Sequence, residues 1–168
     1  MMEPIIIIPT RYDSERVPGK PFRALGSKTV IGRCLDLCRE TEFQTCVVGD
    51  RRMVEKFETS GMVWDLWKNI FCVVDAPCRN GTERVTCLAV MMNLPDDQII
   101  INVQGDHAYI APRTIKAVAE RKLSMPYHDV VVTAHYDLRT IAEWENPNRV
   151  KIEVAKNGSV SSFSPPLF

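Results

Sequence analysis

Three basic side chains, Arg11, Arg16 and Lys20, crowd around Pro18 and Gly19 directly after the apolar run at residues 5–8. Cations of this density at the exit of a short β-branched segment suit a polyanion, and a triphosphate fits best. Lys is a flexible point charge for phosphate oxygens, whereas Arg offers a planar fork of donors. A solvated basic turn is the competing reading. Far along the chain a second polar group, Gln104-Gly105-Asp106, ends another apolar run at 97–103. A carboxylate there can reach a hard cation while Gly105 leaves room for a phosphate, which is how Mg2+ is commonly held: one or two carboxylates plus substrate oxygens. An Asp that merely caps a turn is the alternative. Gln104 presents both a donor and an acceptor, and Thr82 and Arg84 lie near the start of a helical segment, where a cap and a surface ion pair are their plainer readings.

These groups need elements to position them. Residues 5–8 read as a buried parallel strand, since they are short, β-branched and bounded by prolines. Residues 28–40 carry Val30, Ile31, Cys34, Leu35, Leu37 and Cys38 at helical spacing. A strand at 44–48, a helix at 53–59 stopped near Gly61, a strand at 70–74 and a helix at 81–93 continue the alternation. Further strands are expected at 97–103 and 129–135, with helices at 112–123, led by Pro112, and at 140–145. The chain closes in a hairpin of 150–154 with 160–163, turned at Asn157-Gly158. Alternation of this kind predicts an α/β fold with a parallel sheet. Residues 62–69, with Trp64 and Trp67, read as a local insertion whose aromatics cover a core edge or meet a partner.

The 168 residues fit one domain. Lys+Arg 21 against Asp+Glu 21 gives no basic excess, which argues against nonspecific nucleic-acid or membrane binding. No apolar stretch reaches the roughly 20 residues of a membrane-spanning helix, and Glu3 and Pro4 interrupt the N-terminus, so a cytoplasmic location is expected. The six cysteines form no C-x-x-C pair and sit mainly in apolar runs, as buried free thiols would. His107, His128 and His135 form no catalytic triad or zinc pattern and read as structural.

The stretch Ile8-Pro9-Thr10-Arg11-Tyr12-Asp13-Ser14-Glu15-Arg16-Val17-Pro18-Gly19-Lys20-Pro21 resembles the opening signature of the sugar-acid cytidylyltransferases, above all the CMP-Kdo synthetases (3-deoxy-manno-octulosonate cytidylyltransferases). Asn80-Gly81-Thr82-Glu83-Arg84-Val85, Ile101-Asn102-Val103-Gln104-Gly105-Asp106 and Asn146-Pro147-Asn148-Arg149-Val150-Lys151 follow in that family's order. The resemblance implies a three-layer, Rossmann-like nucleotidyltransferase (nucleotide-diphospho-sugar transferase) fold with a mainly parallel sheet. It also implies nucleotide binding by Pro9, Thr10, Arg11, Ser14, Arg16, Lys20, Thr82, Arg84 and Gln104, with Arg11, Lys20 and Asp106 catalytic and Asp106 the ligand of Mg2+. The implied reaction carries CMP from CTP to a sugar acid such as Kdo, with release of pyrophosphate and no protein nucleophile.

The pattern departs from the family in three places. His107-Ala108 stands where the family has Glu-Pro, and Phe163-Ser164-Pro165 where it has Phe-Ser-Arg. The sequence ends at Phe168, whereas the family continues through a sugar-acid pocket, a dimer-forming region and a second acidic metal ligand. A homodimer or a completing partner chain is therefore expected to cover Ile152, Val154, Val160 and Phe163. The alternative function is a degenerate CTP-binding or protein-interaction module that kept the fold and lost turnover.

Overall fold

A computed structural model describes residues 2–12, 17–59, 69–126, 130–147 and 149–164. The chain divides into two compact units, Met1–Thr133 and Ala134–Phe168, where the sequence predicts a single domain.

The first unit is built on a sheet of four strands: β1 (Ile5–Pro9), β4 (Gln44–Gly49), β5 (Asn69–Val73) and β6 (Ile100–Asn102). Their order is β5-β4-β1-β6 and every pairing is parallel. Ile7 lies opposite Cys46 on one side and Asn102 on the other. Alternate side chains of β1 point to opposite faces, and each face is covered. Ile6 and Ile8, with Val47 and Ile101, pack against Ile31, Cys34, Leu35 and Cys38 of α1 (Val30–Arg39), Met53 of α2 (Arg51–Thr59) and Ile115 of α4 (Pro112–Leu123). Ile7, Cys46 and Val48 pack on the other face against Val85 and Leu88 of α3 (Gly81–Met91). Helices thus sandwich a parallel sheet, in the three-layer α/β arrangement that the sequence predicts. Ile6, Ile7 and Ile8 are wholly buried, each worth about 1.5–3 kcal/mol of transfer free energy.

Helix ends follow their caps. Thr29 accepts from the Gly32 amide at 3.1 Å and starts α1 two residues later than the periodicity suggests, because 24–29 folds into a small hairpin, β2 (Ala24–Leu25) with β3 (Lys28–Thr29). Asn80 accepts from the Glu83 amide at 2.9 Å and starts α3. Pro112 occupies the first turn of α4 as expected.

One expected strand does not form. Residues 130–135 have no regular structure, and the Val130 carbonyl accepts from Lys122 Nζ at 2.7 Å. A β-branched run needs a ladder partner to become a strand, and the open edge of β6 takes none among the described residues. The expected insertion at 62–69, apart from Asn69 at the start of β5, lies outside the described residues.

In the second unit α5 (Ile141–Glu145), capped by Thr140, precedes the hairpin of β7 (Lys151–Val154) and β8 (Val160–Ser164). Gly158, at φ 82, makes the turn at the expected place. Arg149 pairs with Glu143 at 3.2 Å and lies 5.6 Å over the Tyr136 ring, while the buried Lys151 donates to the Asn146 carbonyl at 2.7 Å. Arg149 and Lys151 are thereby each tied to residues of or beside α5.

A candidate nucleotide site at the switch point of the sheet

The strand order reverses beside β1: β4 and β5 extend the sheet to one side, β6 to the other. In an open α/β sheet the loops leaving such a point diverge and leave a crevice at the carboxyl ends of the strands. Here Pro9, Thr10 and Arg11 leave β1, while Gln104, Gly105 and Asp106 follow β6. The ladder continues into the crevice, with the Thr10 amide donating to Val48 O at 2.8 Å and the Gly105 amide to Pro9 O at 3.3 Å. Both polar segments recognised in the sequence therefore border one cavity of about 320 Å3.

Lys20 reaches this cavity from a short 3-10 turn (Lys20–Phe22). Gly19 takes the left-handed conformation, φ 65, and its amide donates to the Tyr12 carbonyl at 3.3 Å, which brings these two described residues of the basic loop together. Tyr12 is held in turn by the tilted Phe22 ring, 6.4 Å away, and by Lys56 Nζ, 5.7 Å over its own ring. Lys20 Nζ then bonds Asp106 Oδ2 at 2.5 Å. Partial burial raises the Asp106 pKa, but the hydrogen bond and charge of Lys20, with a smaller contribution from His107, outweigh it and hold the carboxyl below its ordinary range. Asp106 is thus a carboxylate at neutral pH.

The third wall is the start of α3. Gly81 abuts Pro9 and Gln104 so closely that a Cβ there would lie 2.8 Å from Gln104 Oε1 and 3.1 Å from Pro9 Cγ. Only glycine admits this contact without displacing the glutamine. Arg84 is buried, 9% exposed, and Nη1 donates to the Val74 carbonyl at 2.9 Å. In place of the surface ion pair that was its plainer reading it makes an anchor to the residue after β5, from which it lines the cavity. Arg11, Lys20, Arg79 and Arg84 face the cavity against one carboxylate, Asp106, among the described lining residues. An excess of positive charge in a concave, partly desolvated site favours an anion.

Most of the expected site residues converge. Pro9, Thr10, Arg11, Lys20, Arg84, Gln104 and Asp106 all line the cavity. Thr82 does not; its hydroxyl accepts from Asn102 Nδ2 at 3.4 Å, and Asn102 Oδ1 accepts from Gln104 Nε2 at 3.0 Å. It braces the glutamine through Asn102. Ser14 and Arg16 lie outside the described residues. Sequence reasoning missed Arg79, which lines the cavity and pairs with Glu83 at 3.2 Å, and gave no role to Asn80 or Gly81. The Asn-Gly pair ahead of a helical run was the available signal, a capping residue followed by one that permits close approach.

The order β5-β4-β1-β6, with helices on both faces and a cationic cavity at the switch point, defines a Rossmann-like α/β fold of the kind found in nucleotidyltransferases. Residues 5–165 match the family model described as cytidylyltransferase, and the chain belongs to that family. It is 30% identical over 163 residues to the 3-deoxy-manno-octulosonate cytidylyltransferase of Vibrio cholerae serotype O1, covering 95% of this chain and 60% of that protein. Identity to the enzyme of the same name from Alteromonas mediterranea is 29% over 161 residues, covering 95% and 61%. A solved CMP:2-keto-3-deoxy-manno-octonic acid synthetase complexed with CTP superposes with a TM-score of 0.74 at 24% identity, over 99% of this chain and 66% of that one. A 4-diphosphocytidyl-2C-methyl-D-erythritol synthase shares the fold at a TM-score of 0.54 and 13% identity, covering 98% and 70%. The chain spans about 60% of the length of the curated relatives it matches.

Proposed function

We propose that the cavity binds CTP with Mg2+ and that the protein transfers CMP to a sugar acid such as Kdo, releasing pyrophosphate. The observation that carries this reading is the convergence of Lys20, Arg11, Gln104 and Asp106 at the β1/β6 switch point in a chain of the cytidylyltransferase family. Arg11 and Lys20 neutralise the triphosphate, and Gln104, braced through Asn102, presents a donor and an acceptor to the nucleoside. An acceptor hydroxyl attacks the α-phosphorus in line as the bond to pyrophosphate breaks, so the protein's work is positioning and charge neutralisation.

The donor set fits magnesium. Asp106 is ionised and exposed at the cavity, and one carboxylate with substrate phosphates is a usual Mg2+ site. When bound, the ion withdraws charge from the phosphoryl oxygens. Asp106 would hold it once the triphosphate draws Lys20 away. The reaction belongs in the cytoplasm, where CTP is available, and no described helix is long and apolar enough to cross a membrane. A second copy of this chain, or a completing partner, would cover the exposed apolar side chains of the hairpin unit.

The second reading, a CTP-binding module without turnover, is favoured by one observation: Asp106 is the lone carboxylate among the described lining residues, and His107-Ala108 follow it. Pyrophosphate release from CTP, with and without Kdo, separates the two. Kdo-dependent release supports the transferase, whereas CTP binding with no release leaves the binding module.

A further inference from the structure

We propose that Cys78 and Cys87 form an oxidisable dithiol built into the wall of the nucleotide cavity, and that closing it to a disulfide weakens the hold on nucleotide. The second half of this proposal rests on the CTP reading above; the first does not.

Cys78 lines the cavity immediately before Arg79, Asn80 and Gly81, and Cys87 lies two turns inside α3. The segment ahead of the helix folds back along it, so that Cys78 Sγ donates to Cys87 Sγ at 3.9 Å. Both are free thiols, and both are partly exposed. The same segment is fastened at two further points: Glu83 Oε2 accepts the Arg79 amide at 2.5 Å, and Arg84 donates to the Val74 carbonyl. Its position therefore sets where the cavity's Arg79 and Asn80 stand.

A disulfide has a sulfur–sulfur bond of about 2.05 Å, so closure from 3.9 Å draws the two sulfurs together by about 2 Å. Cys78 is the partner that yields, because it lies in the irregular segment before α3 whereas Cys87 is held by the backbone hydrogen bonds of the helix. The pull drags the wall of the cavity, with Arg79 and the Asn80 cap, toward the helix. A small disulfide such as oxidised glutathione supplies the chemistry. One thiolate of the pair attacks it, expelling the first glutathione thiolate, and the other attacks the mixed disulfide, expelling the second. The protein loses two S–H bonds and gains one S–S bond, while the oxidant's S–S bond becomes two thiols.

Another close pair, Cys46 and Cys72 at 3.5 Å, does not serve. Cys46 is 5% exposed inside the sheet, out of reach of a disulfide in solution. Its strand register sets Cys72 opposite Val48 and Cys46 opposite Ile70, so the two sit two positions out of register on strands whose ladder holds both backbones, away from the cavity wall.

The test exposes the reduced, intact protein to oxidised glutathione, then reads linkages by peptide mass spectrometry and CTP·Mg2+ affinity by calorimetry. Trypsin cuts after Arg79 and Arg84 and so separates the two cysteines; fragmentation of peptide 69–79 distinguishes Cys78 from Cys72. The expected result is a Cys78–Cys87 linkage with affinity weakened about tenfold or more, the scale on which displaced charged hydrogen bonds act, and restored by dithiothreitol. Cys87→Ser, and Cys87→Ala should the serine variant fold poorly, bind CTP as well as the reduced protein and no longer respond to oxidant. No linkage, or linkage elsewhere, overturns the dithiol; complete linkage with unchanged affinity overturns its effect on the cavity. Should the reduced protein fail to bind CTP, the CTP reading fails and takes the second half with it, while the mapped linkage still decides the first.

Discussion

Lys20 and Asp106 stand 86 positions apart in sequence and meet at 2.5 Å, each more than 40% exposed in its side chain. An ion pair this open contributes little to stability, because water screens it. Its importance is that it ties the proposed phosphate-binding cation to the proposed metal-binding carboxylate. Lys20→Ala is predicted to weaken CTP binding about tenfold or more and CMP binding much less, because the loss falls on the outer phosphates. Asp106→Asn is predicted to remove the Mg2+ dependence of CTP binding. The pair also has a signed pH dependence. Asp106 has a depressed pKa in the folded protein, so its small stabilisation is present above the ordinary carboxylate range, near pH 4, and is lost as pH falls through the folded value. Thermal melts of wild type and Asp106→Asn should differ at neutral pH and converge in acid. Both residues were legible in the sequence because each followed an apolar strand. Their direct contact was not, because which strands are neighbours decides it.

At the scale of elements, α3 carries more of the site than its sequence suggested. Arg84 read as a nucleotide-binding residue with a surface ion pair as the plainer alternative, and the fold instead turns its guanidinium inward to the Val74 carbonyl at the cavity wall. Arg84→Met removes the donor from a buried acceptor and is predicted to cost about 1–3 kcal/mol, read from the denaturant midpoint. Gly81→Ala puts a methyl against Gln104 and Pro9. Because the closest atom is the end of a flexible side chain, the fold should survive with a small shift in melting temperature while CTP affinity falls. A large loss of stability with normal affinity would contradict the role given to Gln104. The strands 5–9, 44–49 and 69–73 were readable from short β-branched runs, and each found a neighbour in the sheet. The run beginning at Val130 had the same composition and failed, since local propensity cannot report whether a ladder partner exists. The β2–β3 hairpin was invisible for the opposite reason: two-residue strands carry no period.

The whole molecule combines a well-buried unit with one that is not. All the fully or nearly buried hydrophobic side chains among the described residues belong to the first unit. In the second, Ile141, Trp144, Val150 and Phe163 are 76, 52, 64 and 63% exposed. Apolar surface of that kind favours association, and a twofold pairing of identical faces is the common solution. Gel filtration with light scattering is predicted to report a dimer, and Phe163→Glu to shift it toward monomer; a monomer at all concentrations would refute self-association. The fold class was written in the alternation of the sequence and is shared with proteins of 13–24% identity. The proposed activity was legible only through the ordered motifs, because charge and period describe a polyanion site without naming the nucleotide.

The central claim is that the cavity between β1 and β6 grips CTP through its triphosphate with a metal at Asp106. Titration calorimetry of the reduced protein with CTP, with and without Mg2+, tests it most directly. The account predicts saturable binding of one CTP per chain that strengthens markedly when Mg2+ is present. Absence of binding at millimolar CTP, or binding indifferent to Mg2+, would contradict it.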